Sequence, residues 1–309
     1  MVYPRPLRRG GKIGICTPAG PVVEERLRAA VAALQSDGFD VETTPSAYDK
    51  YGLFSAPDDI RRQELEDLFA RDDIGAVFSA RGGVGASRLL ATVDTGLITR
   101  SSKPFLTFSD LTALQWLLFK RHEFVTFAGP LAVEWDGAVS EASRRQAWRV
   151  LCGESNGDLW GDLPRESLGV LRGPGKVSGI LMPGNLSMAT TLLGTPFMPD
   201  LRDTILLIED VNEPPHRVDR MLFHLRNAGV LQKLRGLLIG DFGTELDPLR
   251  NDALRTSLLD ATEGTNYPII CGLPFGHGPE RMTLPVGAPV MLDLDRMQFT
   301  MHVPQMELV

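Results

Sequence analysis

Apolar positions along the chain alternate between short continuous runs and helical spacings. Residues 12–17 (KIGICT) form a predicted strand, closed by Pro18-Ala19-Gly20-Pro21. Over 23–36, Leu27, Val31 and Leu34 recur at helical spacing, and Gly38 follows as a stop signal. A short strand is predicted at 41–44, and a helix at 58–71 with Ile60, Leu65 and Leu68 on one face. The run at 74–79 (IGAVFS) reads as a buried strand leading into Arg81-Gly82-Gly83, with a helix from about 85 to 93 after it. Strands at 105–108 and 125–128 alternate with helices at 111–119 and 140–151. Such alternation predicts a parallel sheet covered on both faces. Ligands bind such sheets at the carboxyl ends of the strands. The segments in question are 17–20, 80–83, Ser109-Asp110 and Gly129-Pro130.

The pattern changes after this. Residues 153–176 are rich in Gly, Pro, Asp and Glu with weak periodicity, as in a linker or crossover. Beyond them strands dominate, at 177–181, 204–208, 236–239, 269–270 and 290–294, with one strong helix at 215–228 that stops at Gly229. The stretch TLPVGAPVMLDLDRMQFTMHV reads as a hairpin or meander. The expected fold class is α/β: an N-terminal parallel-sheet α/β domain (1–152), a linker (153–176) and a C-terminal β-rich α+β domain (177–309).

Composition narrows the function classes. Hydrophobic residues make up 43% of 309, enough for a sizeable core. A net charge of −7, from 32 Lys and Arg against 39 Asp and Glu, disfavours a nucleic-acid-coating role. Cys16, Cys152 and Cys271 are widely spaced and form no CxxC pair, which fits a reducing compartment and neither a disulfide scaffold nor a zinc module. The start MVYPRPLRRGGKIGI lacks a signal peptide's apolar stretch, and no run reaches the ~18–20 apolar residues of a membrane span. The expectation is a cytoplasmic protein with no membrane or nucleic-acid partner.

Several segments carry candidate chemistry. In PFLTFSDLTALQWLL a strand stops at Ser109 and a helix begins almost at once. A serine there is held off the sheet edge beside helix N–H groups, as a nucleophile with an oxyanion site requires; Ser-Asp is equally an ordinary N-cap. In SARGGVGASRLL, Gly82, Gly83 and Gly85 let backbone N–H groups approach an anion, or simply make a tight turn. The run TILLIEDVNEPPHRVDR ends an apolar strand on Glu209 and Asp210, with Glu213 and Asp219 as competing carboxylates; any of these could orient a histidine, cap a helix or pair with arginine. His277 lies between Gly276 and Gly278 with both ring nitrogens accessible, as suits a general base. His122, His216, His224 and His302 make no HExxH-type pair. Asn185 follows a Pro-Gly turn, to cap the next helix or bond substrate. A serine, a carboxylate and a histidine thus stand just past strands in two halves of the chain, which suggests a cleft at the seam.

TFSDLTAL, LLIEDVNEPPHRVDRML and GLPFGHGPERMTLPVG resemble the LD-carboxypeptidase family of serine peptidases, which includes muramoyl-tetrapeptide carboxypeptidases and microcin C immunity-type peptidases. GKIGICTPAGPV, ARGGVGASRLL and GNLSMATTLLGTPFMPD extend the likeness nearly end to end. The resemblance implies Ser109 as nucleophile, Glu209 rather than Glu213 as acid, and His277 as base, with oxyanion donors on the backbone of Gly83 (or its neighbour) and Asp110. It implies a homodimer acting on murein peptide or a related small peptide, with release of D-alanine, and no metal or cofactor. Arg81, Gly82 and Asn185 are the substrate-binding candidates, Arg81 for a terminal carboxylate. Thr107-Phe108 stands where the family often has Gly-Tyr, and His216 where Tyr is frequent. The alternatives are an immunity-type peptidase cleaving an aminoacyl-nucleotide amide, and a non-catalytic small-molecule binder.

Overall fold

Uninterrupted apolar runs leave no face for water, and they occupy the middle of both sheets. The computed structural model describes residues 1–243 and 247–302. Its first strands are β1 (Lys12–Cys16), β2 (Asp40–Thr43), β3 (Ile74–Ser79), β4 (Phe105–Thr107) and β5 (Thr126–Ala128). Then come β6 (Gly169–Arg172), β7 (Lys176–Asn185), β8 (Thr204–Glu209), β9 (Gly236–Ile239) and β10 (Ile269–Cys271). The last are β11 (Leu284–Val286), β12 (Pro289–Asp293) and β13 (Gln298–Met301). The helices are α1 (Glu24–Ser36), α2 (Asp58–Ala70), α3 (Thr95–Ser101) and α4 (Thr112–His122), then α5 (Glu141–Leu151), α6 (Leu186–Thr191), α7 (Pro215–Asn227) and α8 (Asp252–Ala261).

One sheet has the order β11-β5-β4-β3-β1-β2. Its strands β1 to β5 are parallel, and β11 closes the edge antiparallel against β5. The other has the order β13-β12-β7-β8-β9-β10-β6. There β7, β8, β9 and β10 are parallel, flanked by antiparallel β12 and β6. The fold class is the expected one, a parallel-sheet α/β part followed by a β-rich α+β part. Every residue of β8 is buried, as its unbroken TILLIE run requires. Strands β12 and β13 form the hairpin that the final stretch predicts. Val303, which ends that stretch, and the rest of 303–309 lie outside the described residues.

Several features differ from the sequence pattern. The helix predicted near 85–93 is only a 3-10 turn, Ala86–Leu89; Gly85 turns the chain at φ 118°, and α3 starts later, where the Asp94 side chain accepts from Leu97 N–H at 2.9 Å. Ile60 is 43% exposed, while Arg61 is buried. Positions 61, 65 and 68 share a helix face and 60 does not. Residues 153–176 contain β6, and β11, from late in the chain, belongs to the first sheet. Helix α4 packs against β7 across the seam, and Trp116 Nε1–H donates to the Pro183 carbonyl at 3.0 Å.

Candidate active site

After β4, Phe108 stays extended and Ser109 turns at φ 61° into a 3-10 turn that opens α4. A left-handed residue with a side chain costs about 1–2 kcal/mol, so the surroundings must fix it. Gly82 lies so close that a Cβ there would stand 2.8 Å from Ser109 Cβ and 3.2 Å from Oγ. Gly20 N–H donates to the Gly82 carbonyl at 3.0 Å and pins that loop. Gly82→Ala is expected to push Ser109 off its position and lower kcat by about 10²-fold. Steady-state kinetics beside a thermal melt checks this; a folded variant with unchanged kcat would show that the loop yields freely.

The Asp110 side chain turns away from Ser109 to accept from Ala86 N–H at 3.2 Å, anchoring the glycine loop. Burial pushes its pKa up to about 6, against the pull of the Ala86 and Gly85 N–H groups and of Arg61. Arg61 secures the same loop from beneath. Its buried guanidinium donates to the carbonyls of Pro18, Ala56 and Gly85 and pairs with Asp58. The apolar pattern alone places Ile60 on the core face and passes over Arg61; the signal for Arg61 is a cation at i with Leu65 and Leu68 at i+4 and i+7.

On the second sheet, β8 delivers Glu209 fully buried at its carboxyl end. The loop after β10 brings His277 across it. His277 Nδ1 is 2.8 Å from Glu209 Oε2, and Nε2 is 3.3 Å from Ser109 Oγ. Serine, imidazole and carboxylate are thus in hydrogen-bonded sequence across the seam. The Phe108 ring lies against the imidazole at 5.1 Å, with the Arg281 guanidinium over the same ring at 4.5 Å. Burial raises the pKa of Glu209, while His277 and Asn185 stabilise its charged form. Asn185 Nδ2 donates to Glu209 Oε1 at 3.2 Å and to Asp210 Oδ1 at 3.0 Å, and its Oδ1 accepts from Met188 N–H at 3.1 Å. All the polar atoms of this substrate-binding candidate therefore face inward, and its capping role is present. Asp210 in turn accepts from Ser187 N–H at 2.9 Å and from its hydroxyl at 2.8 Å.

Among the described residues, no hydrogen bond or ion pair joins the other candidates to the imidazole. Glu213 pairs with Arg217 at 2.9 Å, and Asp219 accepts from the Ser257 hydroxyl at 2.8 Å. Arg81 is exposed and donates to the Pro21 carbonyl at 2.7 Å. His216 is exposed on the first turn of α7. Thr107 is buried, and its hydroxyl has no hydrogen-bond partner among the described residues. Among the described residues no group of three or more His, Cys, Asp or Glu is placed to hold a metal, and no helix is long and apolar enough to cross a membrane. A cavity of ≈ 370 Å³ runs along the His277 loop, walled by Asp241, Phe242, Gly278, Pro279 and Glu280.

Residues 13–129 match the family model described as the LD-carboxypeptidase N-terminal domain, and 178–292 match its C-terminal domain. The chain is 31% identical to a probable murein peptide carboxypeptidase of Bacillus subtilis, over 94% of this chain and 91% of that protein. It resembles the crystal structure of muramoyltetrapeptide carboxypeptidase from Oxalobacter formigenes with a TM-score of 0.77 at 29% identity, covering 94% of this chain and 97% of that one. A structure of the microcin C7 self-immunity protein MccF superimposes with a TM-score of 0.89, covering 99% of this chain and 100% of that one; at 22% identity this likeness concerns the fold alone.

Proposed function

This chain belongs to the LD-carboxypeptidase family of serine peptidases, and from that premise we propose that it hydrolyses an L,D-amide bond, releasing D-alanine from murein tetrapeptide. The observation that carries the reading is the hydrogen-bonded sequence Ser109–His277–Glu209. Nδ1–H donates to Glu209, which leaves the Nε2 lone pair facing Ser109 Oγ. His277 takes the hydroxyl proton as Oγ attacks the substrate carbonyl carbon. The 3.3 Å separation tightens when substrate excludes water. The oxyanion rests on the N–H groups of Gly83 and Asp110, in a loop braced by Arg61 and the Asp110 carboxylate. His277 then hands the proton to the leaving amine of D-alanine, and an acyl-enzyme on Ser109 remains. Water, deprotonated by the same imidazole, releases the acyl group and restores the serine.

In the same reading the chain works as two domains, 1–152 and 177–309, with β11 of the second segment completing the first sheet and β6 of the intervening segment joining the second, within a cytoplasmic homodimer that recycles wall peptides. Arg81, next to Gly82, offers its exposed guanidinium to the terminal carboxylate. The test is product analysis with L,D-tetrapeptide and with an aminoacyl-sulfamoyl adenosine. D-Alanine release from the first, with the second left intact, is expected. Cleavage of the nucleotide alone would replace the reading with the immunity-type activity. Binding without turnover of either would make the protein a binder.

A further inference from the structure

The nucleophile and the acid are joined twice, once through the imidazole and once behind it. The Thr112 hydroxyl, on the first turn of α4, donates to the Ser109 carbonyl at 2.7 Å. Its oxygen accepts from the backbone N–H of Asn185, at the end of β7, at 3.1 Å. The Asn185 amide then donates to Glu209 Oε1 at 3.2 Å. Glu209 Oε2 meets His277, and His277 meets Ser109 Oγ. The result is a closed ring, Ser109–Thr112–Asn185–Glu209–His277, that crosses the seam between the two sheets at two places.

We infer that Thr112 is a positioning residue whose hydroxyl sets the distance between the Ser109 turn and the Glu209–His277 pair. The inference rests on the serine-peptidase reading. Thr112 is buried and touches no reacting atom. Its oxygen is the point where the ring passes between halves of the chain, because Asn185 N–H comes from β7 and Ser109 C=O from the first half. Asp210, itself held by Ser187, and the Met188 N–H fix the Asn185 side chain from the far side, which resists its following a displaced α4. The methyl of Thr112 has a separate duty. A Cβ on Gly184 would lie 2.6 Å from Thr112 Cγ2, so this methyl sits flush against β7. Hydroxyl and methyl can therefore be removed independently, with opposite expectations.

Thr112→Val keeps the methyl and the side-chain outline but strands the buried Asn185 N–H. Ser109 C=O keeps its bond from Thr112 N–H, so the turn itself survives. With the halves misplaced by a fraction of an ångström, kcat is expected to fall about 10–100-fold, with KM within about twofold of the wild type. Thr112→Ser keeps the hydroxyl, loses the methyl, and is expected to stay within about threefold of the wild type in kcat. A packing role predicts the reverse order, and a mild Val variant beside a slow Ser variant overturns the inference. If Thr112→Val does not fold, Thr112→Ala against Thr112→Ser decides in the same way: equal rates overturn it, and a slow Ala variant supports it. The second readout is the rate of Ser109 labelling by a fluorophosphonate, followed by intact mass. A wild type that is labelled but leaves tetrapeptide whole defeats the substrate reading, and the same ranking of labelling rates then decides the role of Thr112. A wild type neither labelled nor active overturns both.

Discussion

Ser109→Ala is expected to fold normally and to lose at least about 10⁴-fold in kcat, with peptide binding retained. The loss follows from position: Ser109 Oγ lies 3.3 Å from His277 Nε2, and the proposed mechanism has no other attacking atom. Intact-mass analysis after fluorophosphonate treatment should show one adduct on the wild type and none on the variant. An alanine variant that hydrolyses tetrapeptide as fast as the wild type would remove the serine mechanism entirely. Ser109→Gly sharpens the result. It abolishes the reaction equally but relieves the φ of 61°, so it should be more stable than the alanine variant by about 1 kcal/mol. Strain and chemistry would then be seen at the same residue and separated by one methyl group.

Glu209→Gln is expected to lower kcat by about 10³–10⁴-fold. Asn185 decides the orientation of the new amide. Its Nδ2–H donates to the oxygen at the Oε1 position, so the glutamine oxygen turns to Asn185 and its NH₂ turns to His277. The imidazole must then accept at Nδ1 and carry its proton on Nε2, where it cannot take one from Ser109. The fold should not suffer. Burial holds the folded pKa of Glu209 above its ordinary 4.5. Above pH 4.5 the native state therefore binds more protons than the unfolded chain, and stability falls as pH rises through that window. Glutamine carries no such dependence, so the melting temperature of the variant should gain on the wild type from about pH 4.5 upward. A variant that is inactive and falls further below the wild type in melting temperature as pH rises would mean that the charge holds the site together rather than orienting the base.

The legible parts of the fold are those where one chain segment decides its own environment. The runs at 74–79, 204–208 and 236–239 are apolar on both faces, and the structure extends only the second, by Glu209. Ser109 stood out because an apolar strand runs into an apolar helix with almost nothing between them. The rest depends on partners distant in sequence. Nothing local gives Asn185 an inward amide, since Glu209 and Asp210 reach it only after β8 has paired with β7. Arg61 looks like one more charge on a polar helix until the carbonyls of Pro18 and Gly85 converge on it. The end of the TFSDLTAL run reads as the start of a helix, while the part played by the Thr112 hydroxyl needs β7 alongside.

The antiparallel edge strand of the first sheet has a bearing on how the protein is made. β11 pairs with β5 although it emerges from the ribosome long after it, a few residues behind His277. A nascent chain with Ser109 already on its turn therefore has an open sheet edge and no base beside the serine. Closing that edge is a non-local step, intrinsically slow and exposed to aggregation while it waits. In the proposed mechanism the strand that closes the first sheet and the histidine that activates Ser109 come from one segment, so a chain in which that segment has not yet folded back has both an open edge and a serine without its base.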